Sequence, residues 1–266
     1  MPAERVRKYR QINHMVALLQ PAMRSLMDHS GTVRLLDAAC GRSYLSTLLA
    51  WMFCHRYHHP VEILGVDRSQ ALIEASANRA ERIGLGQVFK TTVAQLSDLD
   101  VHSAWKDAFG HTATPHGVVS LHACDTATDD AIFLGIRLEA HMIAVVPCCQ
   151  AELAAAWEEA APAHGSAFAP LRAEPHLRRN TAAHVTDTMR LLLMRGCGYD
   201  TTAIEFVPME HTPKNTLIRG TNTGSTDIEA WTQYNQLVDA TGGVGLQLAQ
   251  QLTRVVGPLI DTAMGD

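Results

Sequence analysis

Apolar runs of strand length alternate with helix-period segments along the first 146 residues, and this constrains the fold more than any other feature. The run at 33–36 precedes a segment with Leu45, Leu48, Leu49, Met52 and Phe53 on one helical face. VEILGVD ends at Asp67, and a helix follows from Ser69, a suitable N-cap, to about Arg82, stopped by Gly84. Further strands are expected at 88–93, 117–122 and 142–146. Runs such as MIAVV, apolar at every position, suit strands covered on both faces. Such alternation is the pattern of an α/β fold with a doubly wound, mostly parallel sheet.

The flanks read differently. Ile12, Val16, Leu19 and Met23 recur at helical spacing within residues 4–28, with Pro21 expected to bend or break the helix. After the fifth strand the spacing predicts a helix at 151–160, an irregular stretch over 162–184 and a helix over 186–195. Strands are expected at 204–207 and 216–219, joined by a turn around Thr212 and Pro213, and a polar TNTGSTD linker leads to C-terminal helices. The resulting division is an N-terminal helical extension (1–30), a central domain (31–220) and a C-terminal helical extension (221–266).

Ligands of open α/β sheets bind beyond the carboxyl ends of the strands. The turn after the first strand, LLDAACGRSYLS, has one glycine, Gly41, and lacks the glycine spacing of a dinucleotide site. Asp37 and Asp67 end the first two strands. Carboxylates there disfavour a pyrophosphate, whereas a ribose diol and a cationic sulfonium suit them. That describes S-adenosylmethionine.

The turn, with Asp37, Ala39, Gly41 and Ser43 and then Asp67, resembles the first motifs of class I S-adenosylmethionine-dependent methyltransferases, with only the central glycine retained. LHACDTATDDAI, VVPCCQ, TDTMRLLLMRGCGY, EHTPKNTLIRG and the RKYRQIN start resemble a branch that includes the acceptor-stem tRNA 2′-O-methyltransferases and uncharacterised bacterial methyltransferases. The resemblance implies a seven-stranded Rossmann-like methyltransferase sheet with helical N- and C-terminal additions. It implies that Asp37, Ala39 and Gly41 surround the methionine moiety, that Asp67 holds the ribose, and that Arg68 and Gln95 flank the adenine, with His122 and Cys124 closing the fourth-strand side. It also puts Glu210, His211 and Lys214 near the methyl acceptor, where His211 or Glu210 would take a proton and Lys214 would lower an acceptor pKa or hold a phosphate. The acceptor is an oxygen or nitrogen, RNA favoured; a small molecule or peptide, and a silent cofactor-binding module that has lost two glycines, are the alternatives.

Cys124, Cys148 and Cys149 follow two strand ends, and three readings compete: nucleophilic thiolates, zinc ligands with His122, or small packing residues. Packing is the expectation, with no metal there or in the CHRYHH run at 54–59. Asp187 and Arg190, three apart, form a helix-face pair worth a few tenths of a kcal/mol when exposed. A formal charge of −5 excludes a globally basic nucleic-acid binder. Local patches remain for RNA phosphates: Arg172, His176, Arg178 and Arg179, and the N-terminal Arg5, Arg7, Lys8 and Arg10. Scattered cysteines, and no apolar stretch of membrane-spanning length, lead to the expectation of a cytoplasmic protein without a membrane partner.

Overall fold

The computed structural model describes residues 3–121, 123, 125–147, 150–159, 168–205 and 216–264. Among the described residues seven strands form one sheet: β1 Val33–Ala38, β2 Val61–Asp67, β3 Phe89–Val93, β4 Gly117–Leu121, β5 Met142–Val146, β6 Tyr199–Glu205 and β7 Thr216–Asn222. Their order is β3-β2-β1-β4-β5-β7-β6. Strands β1 to β5 run parallel; β7 is antiparallel to both β5 and β6. The expected doubly wound, mostly parallel seven-stranded Rossmann-like sheet is therefore present, with reversal confined to one strand. Because β6 runs with β1–β5, its end at Glu205 and the start of β7 at Thr216 lie on the carboxyl edge of the sheet.

Alternate strand residues supply two cores. On one face Val33, Leu35, Val61 and Ile63 pack with α1 (Ala3–His29), α2 (Tyr44–Met52) and α3 (Gln70–Arg82). On the other, Leu36, Ala38, Leu64, Val66, Ile143 and Val145 pack with α4 (Val101–Phe109), α5 (Thr126–Arg137), α6 (Glu152–Glu159) and α8 (Pro175–Gly196). The short α7 (Ala169–Ala173) precedes α8, and α9 (Ile228–Ala240) and α10 (Gln247–Met264) follow the sheet. Both C-terminal helices join the second core through Trp231, Tyr234, Leu248 and Leu252. Their approach is close: a Cβ on Gly196 would lie 2.4 Å from Trp231 Nε1.

Three expectations need correction. α1 passes through Pro21 unbroken, because Ile12, Met15, Val16, Leu19, Met23 and Leu26 are all buried along one face. Six such side chains at about 1.5–3 kcal/mol each outweigh the ~3 kcal/mol of an internal proline. Residues 175–184, expected to be irregular, are the first turns of α8, with Pro175 at the start of the helix, where its missing N–H costs nothing. β6 begins at Tyr199, five residues before the expected strand, because its alternation of buried and exposed residues is that of an edge strand. The expected turn at Thr212 and Pro213 and the residue Val207 lie outside the described residues.

Among the described residues no helix is long and apolar enough to cross a membrane.

Candidate functional site

The first strand ends in a backbone shape that glycine favours and this sequence supplies mostly without it. Ala39, Gly41 and Ser43 all adopt left-handed conformations, with φ of 55°, 54° and 51°. Each non-glycine residue there costs roughly 1–2 kcal/mol. The turn is held by its surroundings: the Cys40 amide donates to Val66 O at 2.9 Å, and the Ser43 amide to Cys40 O at 2.7 Å. The alternating left-handed residues keep the path of a three-glycine turn.

Asp67 pins this turn from the neighbouring strand. Its Oδ2 accepts from the Gly41 amide at 2.8 Å and its Oδ1 from the Ser69 amide at 2.9 Å. Ser69 in turn caps α3, its side chain accepting from the Leu72 amide. Two backbone donors fix the carboxylate, and each oxygen retains a lone pair for a ligand hydroxyl. Asp37, 1% exposed, accepts from the Ser46 hydroxyl of α2. Burial pushes its carboxyl up to about 7; the Ser46 bond opposes this and Asp67 adds to it. A cation brought beside Asp37 would favour its ionised form.

These residues line one cleft of about 700 Å³ over the carboxyl ends of β1–β4. Asp37, Ala39, Gly41, Asp67, Arg68 and Gln95 are all in its wall, so the structure brings together these six of the eight residues proposed for the cofactor. His122 and Cys124 lie outside the described residues. Sequence reasoning missed three contributors. Ile12 of α1 lines the cleft, as does Tyr44 at the start of α2. Asp130 of α5 is a third carboxylate in the wall, and Gln251 Nε2 of α10 donates to its Oδ1 at 2.9 Å. The signal for Asp130 lay in the quoted DTATDDAI segment, where it shares the cleft-facing side of the helix with Thr126 and Ala127.

Beside this cleft the quoted segments meet at one buried arginine. Arg190, 0% exposed, donates from Nε to Asp129 Oδ1 at 2.7 Å, from Nη1 to Asp187 Oδ1 at 3.1 Å and from Nη2 to the Asp125 carbonyl at 3.2 Å. Gln150 Nε2 donates to Asp187 Oδ2 at 3.0 Å. Asp125 has φ 52° and ψ −118°, and its Oδ1 accepts from the Ala151 and Glu152 amides at the start of α6. The turn after β4, the chain after β5 and α8 are thereby locked together. The Asp187–Arg190 pair is accordingly an interior network, not the exposed helix-face pair expected from spacing. Burial raises the Asp129 and Asp187 carboxyls, with Arg190 opposing.

A second cleft, of about 520 Å³, opens where β5 ends and β7 begins, lined among others by Pro147, Gln150, Arg179, His184, Asp187 and Thr216. The basic cluster assigned to RNA needs correction here. Arg172 and Arg178 are 5% and 8% exposed. Arg172 donates to Trp157 O at 3.2 Å, and Arg178 donates to Arg172 O at 3.1 Å and pairs with Glu158 at 2.8 Å. Both stems are packed inside the α6–α7–α8 layer, which leaves His176 and Arg179 of the cluster exposed. Glu210, His211 and Lys214, proposed for the chemistry, and Cys148 and Cys149 lie outside the described residues. Cys40, Cys54 and Cys197 are free thiols, each raised by burial, Cys197 to about 12, so they are protonated at neutral pH. Among the described residues no group of three or more His, Cys, Asp or Glu side chains is arranged to hold a metal ion.

A family model described as a methyltransferase domain matches residues 7–156. No curated protein sequence matches the chain. Among solved structures, the MccD protein is similar at 17% identity and a TM-score of 0.35, over 50% of this chain and 51% of that one, so the chain spans about half of that relative. An rRNA methylase from Streptococcus thermophilus is similar at 10% identity and a TM-score of 0.43, over 73% of this chain and 88% of that one. A geranyl diphosphate C-methyltransferase from Streptomyces coelicolor A3(2), solved with Mg2+, geranyl diphosphate and S-adenosyl-L-homocysteine, is similar at 15% identity and a TM-score of 0.41, over 78% and 83%.

Proposed function

The chain belongs to the methyltransferase-domain family matched over residues 7–156, and from that premise we propose that its first cleft takes S-adenosylmethionine and that an RNA oxygen or nitrogen brought to that cleft is the methyl acceptor. On this reading the methyltransferase domain uses S-adenosylmethionine as its methyl donor. The observation that carries the cofactor reading is the doubly anchored Asp67 carboxylate at the end of β2, with Asp37 and Asp130 in the same wall and a volume suited to a nucleoside with an amino-acid tail. Three carboxylates facing one cleft repel a polyphosphate and attract a cation.

S-adenosylmethionine supplies a methyl on a sulfonium, transferred in line to the acceptor while the sulfur keeps the bonding pair. Residues of the chain have to position the acceptor and receive its proton. Asp67 would accept from the ribose hydroxyls, Asp37 would face the cationic tail, and Gln95 and Arg68 would bound the adenine. The acceptor's proton is assigned to Glu210, His211 and Lys214, in the chain between β6 and β7. Support for that comes from its flanks, since Glu205 and Thr216 both sit on the cleft edge of the sheet. The two lost glycines do not argue for a silent module, because the backbone at Ala39 and Ser43 keeps the glycine-like path.

RNA is favoured by the segments that resemble the acceptor-stem tRNA 2′-O-methyltransferases, two of which meet at Arg190 and a third of which joins them through Gln150 and Asp187. A small-molecule acceptor is the second reading, favoured by the ligand-sized volume of the second cleft. Incubation with methyl-labelled cofactor and fractionated cell extract tests both. Label in nuclease-sensitive material supports RNA, label in nuclease-resistant small molecules supports the second reading, and no label from any fraction contradicts transfer.

A further inference from the structure

One surface starts at the wall of the cofactor cleft and runs outward along α2, away from the chemistry above. Tyr44 stands at the cleft mouth, 37% exposed, under the Arg79 guanidinium, which lies 4.8 Å from its ring centroid. Seven residues on, almost two helical turns, Trp51 returns to the same face of α2, roughly 10 Å away at 1.5 Å per residue. Trp51 is 49% exposed, and its ring centroid is 5.4 Å from that of exposed His55.

An exposed indole is exceptional in this protein. The other three tryptophans, Trp105, Trp157 and Trp231, are 0%, 2% and 7% exposed. Along its own stretch of chain the charge is one-sided: no Asp or Glu occurs between Asp37 and Glu62, whereas Arg42 and Arg56 in that interval are exposed. Flat aromatic faces in a row, flanked by guanidinium groups and free of carboxylates on their own helix, are what a single strand of nucleic acid needs for base stacking and phosphate contact.

We propose that the exposed face of α2 is a single-stranded RNA track, with a base stacked at Trp51 and His55, Arg42 and Arg56 on phosphates, and the strand led past Tyr44 to the cleft mouth. This rests on the RNA reading of the acceptor and gives it a surface that buried Arg172 and Arg178 do not.

The test uses the full chain and 12-nucleotide oligouridine and oligoadenosine, read by tryptophan emission and by anisotropy of a labelled strand. RNA should quench the one exposed indole, and Trp51→Ala should weaken binding about 5- to 150-fold. Trp51→Phe should retain most of the affinity while losing the quench. The thermal shift with S-adenosylhomocysteine should be equal in all three proteins, which separates this surface from the cofactor site. The inference is overturned if neither oligonucleotide binds at 50 mM salt, if Trp51→Ala binds as tightly as the parent, or if duplex DNA binds equally without quenching. It is equally overturned if Trp51→Ala instead abolishes self-association on size exclusion, since the face is then an interface between copies. Loss of the S-adenosylhomocysteine shift in the parent protein would contradict the methyltransferase reading itself.

Discussion

The Gly41 amide donates to Asp67 Oδ2 at 2.8 Å, tying the turn after β1 to the end of β2. One carboxylate thus shapes the floor of the cleft and stands ready for a ligand in it. The two roles predict a compound effect. Asp67→Ala should weaken S-adenosylmethionine and S-adenosylhomocysteine alike by ~1.5–3 kcal/mol, the worth of a charged hydrogen bond, or about 10- to 150-fold. Calorimetry on protein whose fold is verified by circular dichroism checks this; unchanged affinity contradicts the ribose assignment.

Asp37 predicts a pH dependence. Its carboxyl is raised by burial to about 7, so its contribution to stability is complete below the ordinary carboxylate range and is lost as pH rises through 7. Asp37→Asn should therefore melt higher than the parent at pH 8 and about equally at pH 4. Binding of the cationic cofactor should release a proton near pH 7 and tighten from pH 6 to 8. Calorimetry in two buffers of different ionisation enthalpy reads the proton, and Asp37→Asn should abolish it.

The left-handed turn predicts stabilisation by simplification. Ala39→Gly and Ser43→Gly each remove a side chain from a φ near 50°, relieving ~1–2 kcal/mol of strain against a smaller entropic loss in the unfolded chain. Each variant should melt higher by a few degrees while binding the cofactor as before. A lower melting temperature for Ala39→Gly would show that its methyl packing outweighs the backbone strain.

Arg190 predicts the opposite. With Asp129 and Asp187 left facing an interior without their cation, Arg190→Met should cost about 3–5 kcal/mol, or roughly 6–20 °C in Tm. Adding Asp129→Asn should recover part of that loss, because one of the stranded charges is gone. Denaturant titration of the two singles and the double gives the coupling, and strict additivity would mean the ion pair contributes nothing.

Local pattern announced what depends on local structure. VEILGVD read as β2 because an apolar run is bounded by Pro60 and by the Ser69 cap, and the structure has the strand over the same residues, Val61–Asp67. The first half of α8 did not read as helix because Pro175, His176, Arg178, Arg179 and Asn180 look like loop composition. What makes them helical is burial from outside the segment, with Arg178 held by Glu158 and by the Arg172 carbonyl. Asp130 was hidden for the same reason. Whether an acid in the second turn of a helix faces solvent or a cleft is decided by α10 packing on α5, which lies more than a hundred residues away. Proximity of Asp37 and Asp67, by contrast, followed from adjacent parallel strands alone.

That long-range bond orders events in time. Synthesis runs from the N-terminus, and domains fold as they emerge. All seven strands precede Gln251 in the chain, yet the Asp130 side of the cleft is completed only by the Gln251 amide. A ribosome-bound chain halted after β7 would expose the surface that Leu246, Leu248 and Leu252 cover. The residues that line the first cleft all lie between Ile12 and Asp130, so its wall is synthesised early, and what arrives last is the amide that holds the Asp130 carboxylate in it.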